Sequence, residues 1–221
     1  MVNNRITNNI KRYKTEFPAG VRLVAVSKYH TLEQIQEAYA AGQRIFGESR
    51  VQELLLKREQ LPVDIEWHFI GHLQTNKVKH IAPFIALIHS VDSLDLLKET
   101  NRCAAKNNRI IDCLLQLHIA EEETKYGFSF EELRKILVCN EWLELKNIRI
   151  CGLMAMASFT EDENQIRNEF ASLKAFYEEL KVGIFANSPE FKELSMGMSS
   201  DYSIAIEQGS TLVRIGSGVF V

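Results

Sequence analysis

Short apolar runs alternate with amphipathic stretches from one end of this chain to the other, and that alternation limits the fold more than any other feature. Strands are expected at Arg22–Ser27, Arg44–Phe46, Glu66–Ile70, Ala86–Val91, Asp112–Ile119, Ile148–Met154, Glu193–Ser195 and Leu212–Ile215, eight in all. Several intervening stretches open on helix-start signals. Thr31-Leu-Glu-Gln34, Ser129-Phe-Glu-Glu132 and Thr160-Glu-Asp-Glu163 each set a hydroxyl three residues before Glu or Gln, the capping-box pattern. After Glu163, the residues Ile166, Phe170, Leu173, Tyr177 and Leu180 fall on one helical face. Parallel strands need crossover helices, so eight such units predict an α/β fold of the (β/α)8 TIM-barrel type. An extra N-terminal helix carries Ile6, Ile10, Tyr13 and Phe17, and Pro18 stops it. The chain ends six residues after the eighth strand, so no closing helix is expected there and the N-terminal helix is assigned to cover the gap.

The 221 residues, 46% of them hydrophobic, suit one substantial core, and no linker, repeat or low-complexity segment divides them. A single domain over residues 1–221 is expected. An open doubly wound sheet is the alternative, but its Gly-rich dinucleotide fingerprint is absent. A net charge of −3 gives no reason to expect nucleic acid or an anionic membrane as partner, and Lys77-Val-Lys79-His80 reads as a solvated helix face. No signal peptide and no apolar run long enough for a membrane helix is present, so an intracellular, cytoplasmic chain is expected. A compact barrel without apolar excess is expected to be a monomer. Cys103, Cys113, Cys139 and Cys151 lack paired spacing and read as buried free thiols. A barrel can gather His68, His118 and Cys151 from separate strands, but nothing in their spacing requires a metal, and none is assigned.

Lys28 ends the first strongly apolar run. Burial at a strand tip lowers an amine pKa, and a neutral amine is what an aldehyde needs to form a Schiff base. A strand-end lysine that merely snorkels into water is the commoner case, so the surrounding residues decide. Barrel active sites lie at the C-terminal ends of the strands, with phosphate often held after strands seven and eight. Those two places carry Ser195-Met-Gly-Met-Ser199-Ser-Asp201, which leads into a short helix, and Arg214-Ile-Gly216-Ser217-Gly218. A helix start suits an anion, Ser199 adds a hydroxyl, and glycines let the backbone approach a ligand. Either loop alone reads as a cap or a turn; together they predict a phosphate cradle one strand away from Lys28. An aromatic phosphate with a carbonyl that links to lysine describes pyridoxal 5′-phosphate. Arg214 then lies under the ring, placed to donate to the pyridine nitrogen and so weaken the ring as an electron sink.

The chain resembles the pyridoxal phosphate homeostasis proteins, also called the YggS or proline synthase co-transcribed family, over nearly its whole length. The matching motifs include Ala25-Val-Ser-Lys28, Phe46-Gly-Glu48, Val51-Gln-Glu53, Trp67-His-Phe-Ile-Gly71, Gln74-Thr-Asn-Lys77, Lys125-Tyr-Gly127, Gly152-Leu-Met154, Leu194-Ser-Met-Gly-Met-Ser199 and Gly209-Ser-Thr-Leu-Val-Arg-Ile-Gly216. The resemblance implies a barrel like the N-terminal domain of alanine racemase, with Lys28 as the Schiff-base lysine. It also implies Ser199, Gly216 and Ser217 as phosphate contacts and Arg214 at the pyridine nitrogen. Met154 and Asn76 match positions that line or border the pocket, and Lys125 matches a lysine linked to cofactor handling. Two departures stand out: Ser49 replaces the family's Asn after Phe-Gly-Glu, and Val221 replaces a final Gly.

Two functions are compatible with these residues. One is a non-catalytic carrier that buffers pyridoxal phosphate or delivers it to apo-enzymes; the other is a pyridoxal-dependent amino-acid racemase. Racemisation needs a second acid/base opposite the lysine. Alanine racemase takes its tyrosine from another domain, for which this chain has no counterpart, and neither Tyr29 nor Tyr202 has an evident claim. The carrier is therefore the expectation, with no catalytic residue assigned, and family members are described as lacking enzymatic activity. An unrelated phosphate-binding barrel enzyme is the third class.

Overall fold

The computed structural model describes residues 4–120 and 126–221. In chain order the elements are α1 (Arg5–Glu16), β1 (Arg22–Val26), α2 (Leu32–Ala40), β2 (Ile45–Glu48), α3 (Val51–Gln60), β3 (Glu66–Phe69), α4 (Val78–Ile81), β4 (Leu87–Val91) and α5 (Leu94–Lys106). There follow β5 (Ile111–Gln116), α6 (Phe130–Val138), β6 (Ile148–Met154), α7 (Glu163–Val182), β7 (Glu193–Ser195), α8 (Tyr202–Glu207), β8 (Leu212–Ile215) and α9 (Ser217–Phe220). All eight strands pair in parallel with their sequence neighbours, and β8 closes on β1 through Val24 opposite Arg214 and Ala25 opposite Ile215. The expected (β/α)8 barrel is the observed fold.

The apolar alternation explains the two-layered packing. Outward-facing strand residues and the inner faces of the helices merge into one large core; in α7 the buried set includes Ile166, Phe170, Leu173, Tyr177 and Leu180. Val24, Leu87, Leu114, Cys151, Met154 and Leu212 form a separate buried cluster inside the barrel. Helix α1 buries Ile6, Ile10 and Tyr13 and packs against α2 and α9, so it covers the seam beside β8 as expected. Each fully buried side chain of this kind contributes about 1.5–3 kcal/mol. Gly218 sits where Tyr13 crosses α9; a Cβ there would collide with the tyrosine hydroxyl.

Several boundaries differ from the sequence reading, each for a local reason. Strand β1 stops at Val26 rather than Ser27, and β2 runs on to Glu48. Strand β5 ends at Gln116, because the chain then turns on itself: Phe128 N–H donates to Gln116 O and His118 N–H to Phe128 O. The boxes at Thr31 and Ser129 form as expected. The one at Thr160 does not; Asp162 caps α7 instead, accepting from the Asn164 and Gln165 amides, while Thr160 Oγ1 accepts from Asp162 N–H. A one-turn helix, α9, follows β8 where none was expected. Cys139 is exposed, not buried, because it lies at the C-terminal cap of α6 beyond the buried Leu137. Among the described residues, no helix is long and apolar enough to cross a membrane.

Candidate functional site

At the C-terminal ends of the strands, a cleft of about 580 Å³ is lined by Lys28, Tyr29, His30, Ser49, Met156, Met198, Ser199, Arg214, Gly216, Ser217 and Val221, among others. That volume lies within the roughly 300–1,000 Å³ usual for small-molecule sites. Five sequence-selected residues, Lys28, Ser199, Arg214, Gly216 and Ser217, therefore converge on one opening, and Ser49 stands on its wall. Met154 and Asn76 do not line it. Met154 is buried within the barrel interior below, and Asn76 is exposed in a 3-10 turn, Thr75–Lys77. Lys125 lies outside the described residues.

Lys28 belongs to the turn between β1 and α2, and it is exposed. The expectation of a buried amine is thereby corrected: β1 ends two residues earlier and the chain lifts the lysine out of the sheet. The turn that presents it is fixed from behind. Tyr29 adopts a left-handed conformation with φ of 66°, uncommon for a side chain of that size. Its N–H donates to Glu53 Oε1 at 2.8 Å, and His30 N–H donates to Ser27 O at 3.0 Å. The Thr31 capping box then locks the start of α2.

Beneath that turn sits an acid–base cluster of which Ser27, Glu48 and Glu53 fall in sequence motifs without a role, while Lys57 is not singled out by the sequence at all. Lys57, from α3, donates to Ser27 O at 2.7 Å, to Glu48 Oε1 at 2.7 Å and to Glu53 Oε1 at 2.6 Å. Glu48 Oε1 also accepts from Ser27 Oγ at 2.6 Å. Its other oxygen, Oε2, is buried with no hydrogen-bond partner. Burial pushes the Glu48 carboxyl up, with the hydrogen bonds from Lys57 and Ser27 opposing. For Glu53, burial is outweighed by its hydrogen bonds with Lys57 and the Tyr29 amide, and the carboxyl shifts down. Both residues flanking Lys28 are thus tied to α3: Ser27 through its carbonyl, Tyr29 through its amide.

Across the cleft, the loops after β7 and β8 meet. Ser217 Oγ donates to Ser199 Oγ at 3.2 Å, which sets the two hydroxyls side by side in the cleft lining. Asp201, buried, holds the first loop by accepting from Met198 N–H at 2.5 Å. The early amides of α9 have no partner within their own helix. Arg214 lies on the cleft floor and is almost wholly buried. Its Nη1 donates to Ser195 Oγ at 2.6 Å and its Nη2 to Ala155 O at 2.9 Å. Burial brings the guanidinium down to about 10, with Asp201 pulling the other way, and it remains a cation at neutral pH. His30 stacks on Phe220 at 4.3 Å between ring centroids; burial lowers its imidazole, and the Gln34 contact partly offsets this.

The three residues weighed as a metal set are not brought together. His68 and Cys151 line a cavity at the opposite mouth of the barrel, while His118 lines one beside Tyr126 and Met156. Of the tyrosines considered for acid/base work, Tyr202 packs edge-on against Tyr13 away from the cleft lining, and Tyr29 stands in the lining itself.

Comparison with known proteins bears on this geometry. The family model for the alanine racemase N-terminal domain matches residues 3–221. A pyridoxal phosphate homeostasis protein of Aquifex aeolicus is 42% identical over 200 residues, covering 90% of this chain and 86% of its own. The human protein of the same name is 38% identical, covering 99% and 83%. PipY of Synechococcus elongatus, solved with PLP bound, superposes with a TM-score of 0.89 at 36% identity, covering 98% of this chain and all of that one. Alanine racemase of Streptomyces coelicolor, 17% identical with a TM-score of 0.74 over 97% of this chain and 57% of its own, shares the fold. With matches of this extent to both the domain and its named members, the chain belongs to the pyridoxal phosphate homeostasis protein family, on the alanine racemase N-terminal barrel.

Proposed function

We propose that this protein holds pyridoxal 5′-phosphate as a Schiff base on Lys28 and buffers it, or delivers it to apo-enzymes, without turnover of its own. The observation that carries the reading is the convergence of Lys28, the Ser199–Ser217 hydroxyl pair and the Arg214 cation on one cleft. The donor set suits the cofactor's chemistry. An amine faces the aldehyde, hydroxyls and helix-start amides of Gly216 and Ser217 suit a phosphate, and a guanidinium suits an unprotonated ring nitrogen. When bound, the cofactor supplies an electrophilic aldehyde and an electron-accepting ring. Arg214, which only donates, keeps that ring a weak acceptor. Met154 belongs to the buried barrel filling, and Asn76 stands in an exposed turn outside the cleft lining.

The carrier reading draws support from exposure. Lys28 stands open to solvent, a poor setting for a reactive carbanion and a good one for exchange with another amine. The racemase reading has one observation in its favour: Tyr29 shares the cleft, with its ring centroid 6.0 Å from Lys28 Nζ.

The visible spectrum of the purified protein, followed by borohydride reduction and peptide mass spectrometry, tests the proposal. A yellow protein with reduced cofactor fixed on Lys28 is the expected result, together with transfer of cofactor to an apo-enzyme. A chain that stays colourless and unmodified when pyridoxal phosphate is added would refute it. Amino-acid racemisation that vanishes in Lys28→Ala would replace the carrier with the enzyme.

A further inference from the structure

Barrel interiors of this fold are usually filled with bulky branched side chains. Here a polar line crosses the apolar filling from mouth to mouth. Glu66 Oε1, at the opposite mouth, contacts His68 Nε2 at 3.1 Å; His68 Nδ1 contacts His89 Nε2 at 2.9 Å; and His89 Nδ1 contacts Ser195 Oγ at 2.9 Å. Ser195 Oγ in turn accepts from Arg214 Nη1 at 2.6 Å. His68, His89, Ser195 and Arg214 are buried; only Glu66 reaches solvent, with its side chain 45% exposed. None of the four besides Arg214 lines the cofactor cleft.

The two ends of this line assign the direction of its hydrogen bonds. An arginine donates and never accepts, and the far end of the line is a carboxylate, which only accepts. With neutral rings the line runs from Arg214 to Glu66, so Ser195 Oγ accepts from Arg214 and turns its own proton to His89 Nδ1. His89 then carries its proton on Nε2 and donates to His68 Nδ1. His68 likewise carries Nε2–H and donates to Glu66. The reverse direction would set the bare Nε2 of His68 against a carboxylate, acceptor against acceptor. Burial lowers both imidazoles, His89 further because His68 and Arg214 lie beside it, and so favours the neutral rings this pattern needs. The His68 hydrogen bond holds the Glu66 carboxyl down despite partial burial.

We propose that Glu66, His68, His89 and Ser195 form a one-way hydrogen-bond relay along the barrel axis that positions Arg214 as a donor toward the cofactor's ring nitrogen. They are positioning residues: none touches the cofactor, and each acts through the next. The assignment rests on the cofactor reading for its purpose but not for its geometry. One end of the line is a cation under the cleft and the other a carboxylate at the far mouth, so all the bond dipoles point the same way. Such a chain polarises cooperatively and resists rotation of any one member.

Nuclear magnetic resonance of the ¹⁵N-histidine-labelled full chain, with long-range proton–nitrogen correlation, reads the relay without any substitution. The expected result is two neutral imidazoles, His68 and His89, both protonated at Nε2. Either ring protonated at Nδ1, or doubly protonated at neutral pH, would overturn the proposal. The second arm uses His89→Leu and His89→Gln, with folding checked by circular dichroism. A glutamine amide can accept from Ser195 and donate to His68, whereas leucine does neither. His89→Leu is expected to weaken pyridoxal phosphate binding about ten- to hundredfold, the worth of a charge-assisted hydrogen bond, and to move the visible band of the bound cofactor. His89→Gln is expected to stay within about threefold of the unsubstituted chain and restore the band. Equal binding and an unmoved band in a folded His89→Leu would overturn the relay's role. If His89→Leu does not fold, the glutamine variant decides: failure to match the unsubstituted chain counts against the relay. An unsubstituted chain that takes up no pyridoxal phosphate would sink the cofactor reading, and the stated task with it, while the tautomers could still be read.

Discussion

Removing the ammonium of Lys57 should separate what stabilises the barrel from what presents Lys28. In Lys57→Met, three short hydrogen bonds disappear together: those to Ser27 O, Glu48 Oε1 and Glu53 Oε1. Methionine fills most of the same volume, so the loss is electrostatic rather than a cavity. Glu48 is fully buried and already has one unpartnered oxygen, and without Lys57 it keeps Ser27 Oγ as its donor. Breaking a buried pair by removing one partner costs about 3–5 kcal/mol. For a chain of this size that corresponds to a fall of roughly 6–20 °C in Tm.

The penalty should depend on pH, with a determined sign. The Glu48 carboxyl is raised in the folded protein, so its contribution to stability is fully present below the ordinary value of 4.5 and is lost as pH rises through the raised folded value. Lys57 opposes that rise, so Lys57→Met lifts the carboxyl further and extends the window upward. The deficit against the unsubstituted chain should therefore be largest at pH 8. It should shrink towards pH 5, by up to about 1.4 kcal/mol for each pH unit spent below the variant's raised value. Urea unfolding at pH 5, 6, 7 and 8 measures it through the midpoint at constant m-value. A deficit under about 1 kcal/mol, or one that does not change across that range, would refute the claim that Lys57 neutralises a buried carboxylate.

Other substitutions test the remaining parts of the site. Lys28→Ala, at an exposed turn position, should change unfolding free energy by no more than about 0.5 kcal/mol while abolishing borohydride-trapped cofactor; a variant unfolded by circular dichroism would contradict its exposure. Ser199→Ala and Ser217→Ala should each weaken pyridoxal phosphate binding about three- to tenfold and leave the Lys28 link intact, since they address the phosphate end; unaltered retention in both would mean the cradle is misplaced. Gly152→Ala should destabilise the barrel by about 2–4 kcal/mol, because Gly152 has φ of 152° and a Cβ there would strike the Glu193 carbonyl oxygen across the β6–β7 pair; a melting temperature equal to that of the unsubstituted chain would count against that packing.

Much of this protein was legible in its sequence, because the signals involved are local. Strand and helix periods repeat within a dozen residues, and capping at Thr31 and Ser129 is decided within one turn. Strand order in a parallel barrel follows chain order, so the loops carrying Ser199 and Ser217 had to lie side by side, next to the turn carrying Lys28. Other features needed the folded chain. Whether Lys28 is buried depends on where β1 stops, a matter of one or two residues that no period resolves. Lys57 reads as one more charge on an amphipathic helix until α3 folds against the turn and aims it at Ser27, 30 residues away. The relay joins His68 to His89 across 21 residues and His89 to Ser195 across 106. Which inward-facing polar groups meet is set by barrel stagger and closure, a property of all eight strands together that no single segment encodes.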